Sequence, residues 1–143
     1  MTAIRPMTVN DIPAALALWQ EAEGMSLRSA DRPEALARYL ARNPGCSFVA
    51  IAADELAGVS LAGHDGRRGY LNHVAVRAGH RRQGFGRRLV AACLGALRAD
   101  GIEKVTLFVK SDNAAGFAFW HALGGRRDDI VPLSIILSDD PNA

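Results

Sequence analysis

A chain of 143 residues, 49% hydrophobic and 22% charged, is long enough to bury a substantial core and is expected to form one domain, 1–143. A net charge of +2 gives no argument for nucleic acid, and no apolar run reaches the length of a membrane span. The start, Met-Thr-Ala-Ile-Arg, lacks an apolar signal core, and Cys46 and Cys93 lack metal-ligand spacing; buried thiols in the cytoplasm, with no metal, membrane or nucleic-acid partner, are expected.

Ala3 to Met7 reads as a short strand. Thr8 and Asp11 have the spacing of a capping box, opening a helix with Ile12, Ala15, Leu16 and Trp19 on one face that runs to about Glu23. Gly24 to Arg32 is a polar loop. Pro33 suits the first turn of a second helix, through Leu36, Tyr39 and Leu40, ending near Asn43-Pro44-Gly45. Ser47 to Ala53 and Leu56 to His64 are strand runs whose tight connection predicts a hairpin, and the turn from His64 to Gly69 leads into a short apolar strand, Tyr70 to Val76.

A turn follows, with Arg77, Arg81, Arg82 and Gln83 and glycines at 79, 84 and 86. From Arg87, Leu89, Val90, Cys93, Leu94 and Leu97 recur at the spacing of one helix face, up to Asp100-Gly101. Lys104 to Val109 reads as a strand, and Ser111-Asp112-Asn113 offers caps for a helix from about Ala114 to Leu123, closed by Gly124-Gly125. Arg126 to Asp129 and Leu133 to Leu137 complete the pattern as one broken strand or a strand pair. The early hairpins are antiparallel and the strand–helix–strand unit of 70–109 is expected to be parallel, which together predict a mixed α/β sheet wrapped by helices.

The arginine-rich turn feeds a helix N-terminus, where unpaired N–H groups and the helix dipole favour an anion. Gly84 and Gly86 allow close backbone approach, and Arg81, Arg82 and Arg87 add charge. No Lys-Ser/Thr follows the glycines, so this is not a Walker A loop, and Leu89 stands where the dinucleotide fingerprint needs a glycine. A solvated arginine turn is the bland alternative. Arg81-x-x-Gly84-x-Gly86 resembles the Arg/Gln-x-x-Gly-x-Gly/Ala turn of the GCN5-related N-acetyltransferases (GNAT family), and Asn113-Ala-Ala-Gly-Phe-Ala-Phe-Trp-His-Ala-Leu-Gly-Gly125 is similar to that family's closing segment. Gly63 to Tyr70, with Arg127 to Ile130, resembles the small bacterial branch that includes the YpeA-like proteins.

The resemblance implies an acyl-CoA N-acyltransferase fold, a central mixed sheet flanked by about four helices with strands splayed at the cofactor site. It implies acetyl-coenzyme A as cofactor. Backbone groups of Val74, Ala75 and Val76 would then pair with the pantetheine arm, and Arg81, Arg82, Gln83, Gly84, Phe85 and Gly86 would hold the pyrophosphate. Asn113 would hydrogen-bond the pantetheine and Trp120 would border the cofactor. The reaction implied is direct attack of a neutral primary amine, on a small molecule or a protein, in a ternary complex, with a backbone N–H near Val74 polarising the carbonyl.

Two departures matter. Trp120 stands where many members carry the tyrosine that protonates the leaving thiolate, and an indole does not titrate. Phe108 stands where members acting on ribosomal-protein N-termini carry a glutamate. Candidate bases are His73, Glu21, Glu23 and His64; His73, on the face opposite Val74 and Val76, is the one suited to neutral pH. His80 and His121 read as surface residues. Fold analogy puts Trp19, Arg28, Asp31, Tyr39 and Asp65 within reach of the acceptor. A non-catalytic coenzyme A sensor or scaffold and an arginine-rich binding domain are the alternatives, and a homodimer is compatible with the resemblance.

Overall fold

The computed structural model describes residues 2–22 and 25–143. In chain order these form β1 (Thr2–Pro6), α1 (Ile12–Glu21), α2 (Pro33–Arg42), β2 (Phe48–Ala52), β3 (Glu55–His64), β4 (Gly69–Val76), α3 (Phe85–Ala99), β5 (Val105–Thr106) and α4 (Ala114–Ala122). Single 3-10 turns lie at Val9–Asp11, Ser29–Asp31 and Ala78–His80. The five strands make one sheet in the order β1-β2-β3-β4-β5, antiparallel except for the parallel pair β4–β5.

Alternation along the strands gives the sheet two apolar faces. Val49, Val59, Leu61 and Ala75 meet Ile12, Ala15, Leu18, Trp19 and Leu36 of α1 and α2. On the other face Ala62 and Leu71 meet Val90, Cys93 and Leu97 of α3, while Ala50, Ala52 and Ala57 receive Phe85 and Leu89. Small residues let α3 lie close: a Cβ on Gly58 of β3 would stand 2.9 Å from Leu89 Cδ1. The β2–β3 hairpin turns through Ala53 (φ 52°) and Asp54 (φ 61°), two successive left-handed residues that match the twist of the flanking strands.

Three expectations need correction. Helix α1 ends at Glu21, and the parts of the predicted helix and loop at Glu23 and Gly24 lie outside the described residues. Strand β5 is two residues long, not the span from Lys104 to Val109. The segments 126–129 and 133–137 form no strand. Pro132 removes a ladder donor between them, and so short a β5 offers little edge to pair with. The tail is instead tied down by polar contacts: Lys104 to Asp128 (3.2 Å), Arg32 to Asp140 (2.6 Å), and Ser29 N–H donating to the Asn142 carbonyl (2.8 Å). Its large apolar residues, among them Val131, Leu133 and Ile135, remain exposed.

Candidate active site

The site grows from an irregularity in β4. Val59 pairs with Ala75 and Leu61 with Asn72, so Ser60 alone on β3 is matched by His73 and Val74 on β4. The extra residue makes a bulge, and His73 takes the strain at φ 51°, a left-handed conformation that costs a non-glycine residue about 1–3 kcal/mol. Trp19, fully buried on α1, donates its indole N–H to the His73 carbonyl (2.9 Å) and lies under the imidazole, ring centroids 5.0 Å apart.

The bulge puts Asn72 and His73, neighbours in sequence, on the same side. Both line a cavity of about 710 Å³ between β4 and α2. In it, His73 Nε2 lies 2.7 Å from Asp31 Oδ1. Asp31 is itself held: its Oδ2 accepts the Arg28 backbone N–H at 2.9 Å, and the residue is 8% exposed. With the carboxylate ionised, Nε2 carries the proton and donates it to Asp31, which leaves Nδ1 with a lone pair. A histidine oriented by a buried carboxylate in this way is arranged to accept a proton.

At the C-terminal end of the same strand lies a second cavity, of about 380 Å³, bounded by Val76, His80, Arg81, Arg82, Gly84 to Arg87 and Phe119. Arg82 (φ 63°) and Gly84 (φ 81°) reverse the chain there. Among the described residues, the backbone N–H groups from Arg82 to Arg87 meet no backbone acceptor. A Cβ built on Gly84 would meet nothing within 4 Å, so the concavity before α3 is open. Six unpaired donors, three nearby guanidiniums and a helix N-terminus can together hold an anion with several oxygens, such as a pyrophosphate. Between the two cavities β4 has a free edge, since β5 pairs only with Gly69 and Tyr70.

The other expected residues fall as follows. Val74 packs toward α3, Ala75 toward α1, and the Val76 carbonyl accepts Arg81 Nε (3.2 Å). Gln83 is exposed in the turn. Asn113 caps α4, its Oδ1 accepting the Gly116 N–H at 2.9 Å. Trp120 packs edge-on against Phe119 (4.9 Å) within the α3 cluster and borders neither cavity; Phe119 is the aromatic that reaches the arginine turn. Glu21 is exposed, 3.4 Å from Arg77, away from both cavities. Glu23 lies outside the described residues.

His64 is taken up elsewhere: Nδ1 accepts the Gly66 N–H (3.0 Å) and Nε2 faces Asp100 (3.1 Å). Asp65 caps its own turn through the Arg67 and Arg68 N–H groups, which pulls its carboxyl below the usual range, so it does not reach the acceptor cavity. Trp19 is core, whereas Arg28, Asp31 and Tyr39 do line that cavity. His80, expected on the surface, instead borders the arginine-turn cavity, 3.0 Å from Glu55 and edge-on to Phe85. The Asp31–His73 pair and Phe119 were missed by sequence reasoning. His73 was read as a candidate base and Asp31 as a residue within reach of the acceptor, but no signal in the sequence tied one to the other.

Comparison with known proteins gives a consistent answer. Residues 13–124 match the family described as "Acetyltransferase (GNAT) family". An acetyltransferase of Sodalis glossinidius is 30% identical over 131 residues, covering 91% of each chain. In three dimensions the chain superposes on the PaiA N-acetyltransferase of Thermoplasma acidophilum in complex with coenzyme A, with a TM-score of 0.79, 17% identity and coverage of 92% of this chain and 93% of that one. It also superposes on an aminoglycoside acetyltransferase from an uncultured soil sample, in complex with sisomicin, with a TM-score of 0.72, 20% identity and coverage of 96% and 97%.

Proposed function

We propose a function from one premise: this chain belongs to the acetyltransferase (GNAT) family. It is an acetyl-coenzyme A-dependent N-acetyltransferase acting on a primary amine in a ternary complex, as a single cytoplasmic domain. The observation that carries the reading is that β4 holds His73, paired with Asp31, in one cavity and runs directly into the arginine turn that bounds the other.

The residues fit the cofactor. The N–H groups from Arg82 to Arg87, with the side chains of Arg81 and Arg82, would hold its pyrophosphate. The open edge of β4 through Val74, Ala75 and Val76 would bind the pantetheine as an added strand, with Asn113 alongside. Bound acetyl-coenzyme A supplies an acetyl thioester, whose carbon–sulfur bond is exchanged for a carbon–nitrogen bond as the thiolate leaves with the electron pair. His73 Nδ1 takes the proton that the amine loses, and Asp31 stabilises the imidazolium so formed. A backbone N–H near Val74 would polarise the thioester carbonyl. Trp120 does not titrate, so it would supply no acid to the leaving thiolate, whose ordinary basicity would let it leave without one.

The test is thermal melting with acetyl-coenzyme A, followed by thiol release over a panel of amines. A ligand at a hundred times its dissociation constant stabilises the fold by about 2.7 kcal/mol. Wild type is expected to gain this and Gly84→Trp to lose it, because the indole fills the concavity and φ 81° disfavours a side chain. His73→Gln keeps the melting shift and loses turnover by about a hundredfold or more. No shift at millimolar ligand overturns the cofactor assignment; a shift without thiol release from any amine turns the reading into a non-catalytic coenzyme A sensor.

A further inference from the structure

Within the cavity that contains His73, the charge is one-sided. Helix α2 presents Ala35, Arg38, Tyr39 and Arg42 to it, the i, i+3, i+4, i+7 stripe of one helix face. Arg38 and Arg42 thus border the cavity while their guanidiniums remain accessible to solvent. Arg28 enters from the opposite rim, and Lys110 reaches that rim through Ser26, its Nζ donating to Oγ at 3.3 Å. Asp31 is the one carboxylate in the lining, and both its oxygens are engaged, by His73 and by the Arg28 N–H. Among the described residues, no carboxylate lies within 4.0 Å of the guanidinium of Arg28, Arg38 or Arg42, although Arg5, Arg32 and Arg77 each have such a partner. Three arginines against one acid leave the lining with two uncompensated positive charges.

An amine must approach His73 through this field. A polycation is repelled by it, whereas a molecule with an anion a few bonds from its amine is drawn in and oriented, amine toward His73 and anion toward α2. Tyr39 and Asn72 line the same wall, the Tyr39 hydroxyl buried against Gly63 of β3. We propose that the acceptor is a primary amine carrying its own carboxylate or phosphate, seated by Arg28, Arg38 and Arg42 across the cavity from His73. This rests on the acetyltransferase reading above and names the substrate class for it.

The experiment uses matched probes: β-alanine against β-alaninamide, phosphoethanolamine against ethanolamine, and spermidine as the polycation. Thiol release gives kcat/KM for each. Independently of turnover, calorimetric titration compares N-acetyl-β-alanine with its amide, with coenzyme A present. Wild type is expected to favour the anionic member of a pair by about tenfold or more, the effect of one or two charge-assisted hydrogen bonds. Which pair shows it tells a carboxylate from a phosphate. The double variant Arg38→Gln/Arg42→Gln brings the ratio toward one. The double variant Arg67→Gln/Arg68→Gln, the same change of charge in the turn between β3 and β4, leaves the ratio as in wild type.

A purely structural role for the two arginines lowers both members of a pair together and leaves their ratio intact, which overturns the proposal. So does active enzyme that shows equal rates or prefers spermidine, a result under which the acetyltransferase reading still stands. If no amine releases thiol and no melting shift is seen, that reading fails by itself, and the titration decides the anion question: selective binding of the acid sustains the site, and equal binding refutes it.

Discussion

His73 is a β-strand residue held at φ 51° by an indole hydrogen bond from one helix and a carboxylate from the segment before another. Its orientation depends on both. Asp31→Asn is expected to reduce kcat by about tenfold or more with a smaller change in KM, because the amide cannot stabilise an imidazolium; steady-state kinetics on the preferred amine checks this. At Arg5 and Asp11 two parallel hydrogen bonds of 2.8 Å join a guanidinium to a carboxylate that also accepts the Thr8 N–H. Hydrogen bonding from Arg5 holds the Asp11 carboxyl below its ordinary range, so its contribution is present at neutral pH and lost as pH falls through that lowered value. Arg5→Ala should cost about 2 kcal/mol in urea unfolding at pH 7, and less at the acid end. At this scale the side of the sheet that His73 faces was legible from strand alternation, as was the cap formed by Asp11. Its partner Asp31, 42 residues away in sequence, was not, because the pairing exists only once α2 and β4 are packed together.

Among the helices, α3 packs most extensively on the sheet. Leu89, wholly buried, lies over Gly58, so Leu89→Ala should destabilise by about 3 kcal/mol in chemical denaturation. Gly58→Ala fails in the opposite sense: the new Cβ falls 2.9 Å from Leu89 Cδ1 and 3.1 Å from the Ala75 carbonyl, and overpacking of that kind costs about 1–3 kcal/mol. Helices α2, α3 and α4 and the β2–β3 hairpin were legible because apolar period, proline, glycine and caps agreed within each. The bulge in β4 was not, since its residues Asn72-His73-Val74 carry no glycine to announce a left-handed position. Nor was the fate of the tail. Its apolar residues read as a strand, but whether a ladder forms depends on an edge to pair with, and β5 supplies two residues.

Over the whole molecule, burial makes the Cys46 and Cys93 thiols and the Tyr39 phenol resist ionisation, the last two most strongly. Desolvation pushes the Cys93 thiol from 9.0 up to about 11 and the Tyr39 phenol from 10.0 up to about 12. Both stay protonated in the fold at pH values where the unfolded chain has begun to lose these protons, so stability is full below their ordinary values and declines as pH rises toward the folded ones. Melting temperature is therefore expected to fall steadily above about pH 9, and Cys93→Val to flatten the early part of that decline. The same partition into faces bears on how such a chain diversifies. The arginine turn is built on β4 and α3, while the stripe at positions 35, 38 and 42 belongs to α2, on the far side of the sheet. Substitutions along that stripe alter what His73 meets across its cavity and leave the arginine turn untouched. A library confined to those three positions is thus a route to new acceptors that carries little risk to the shared chemistry.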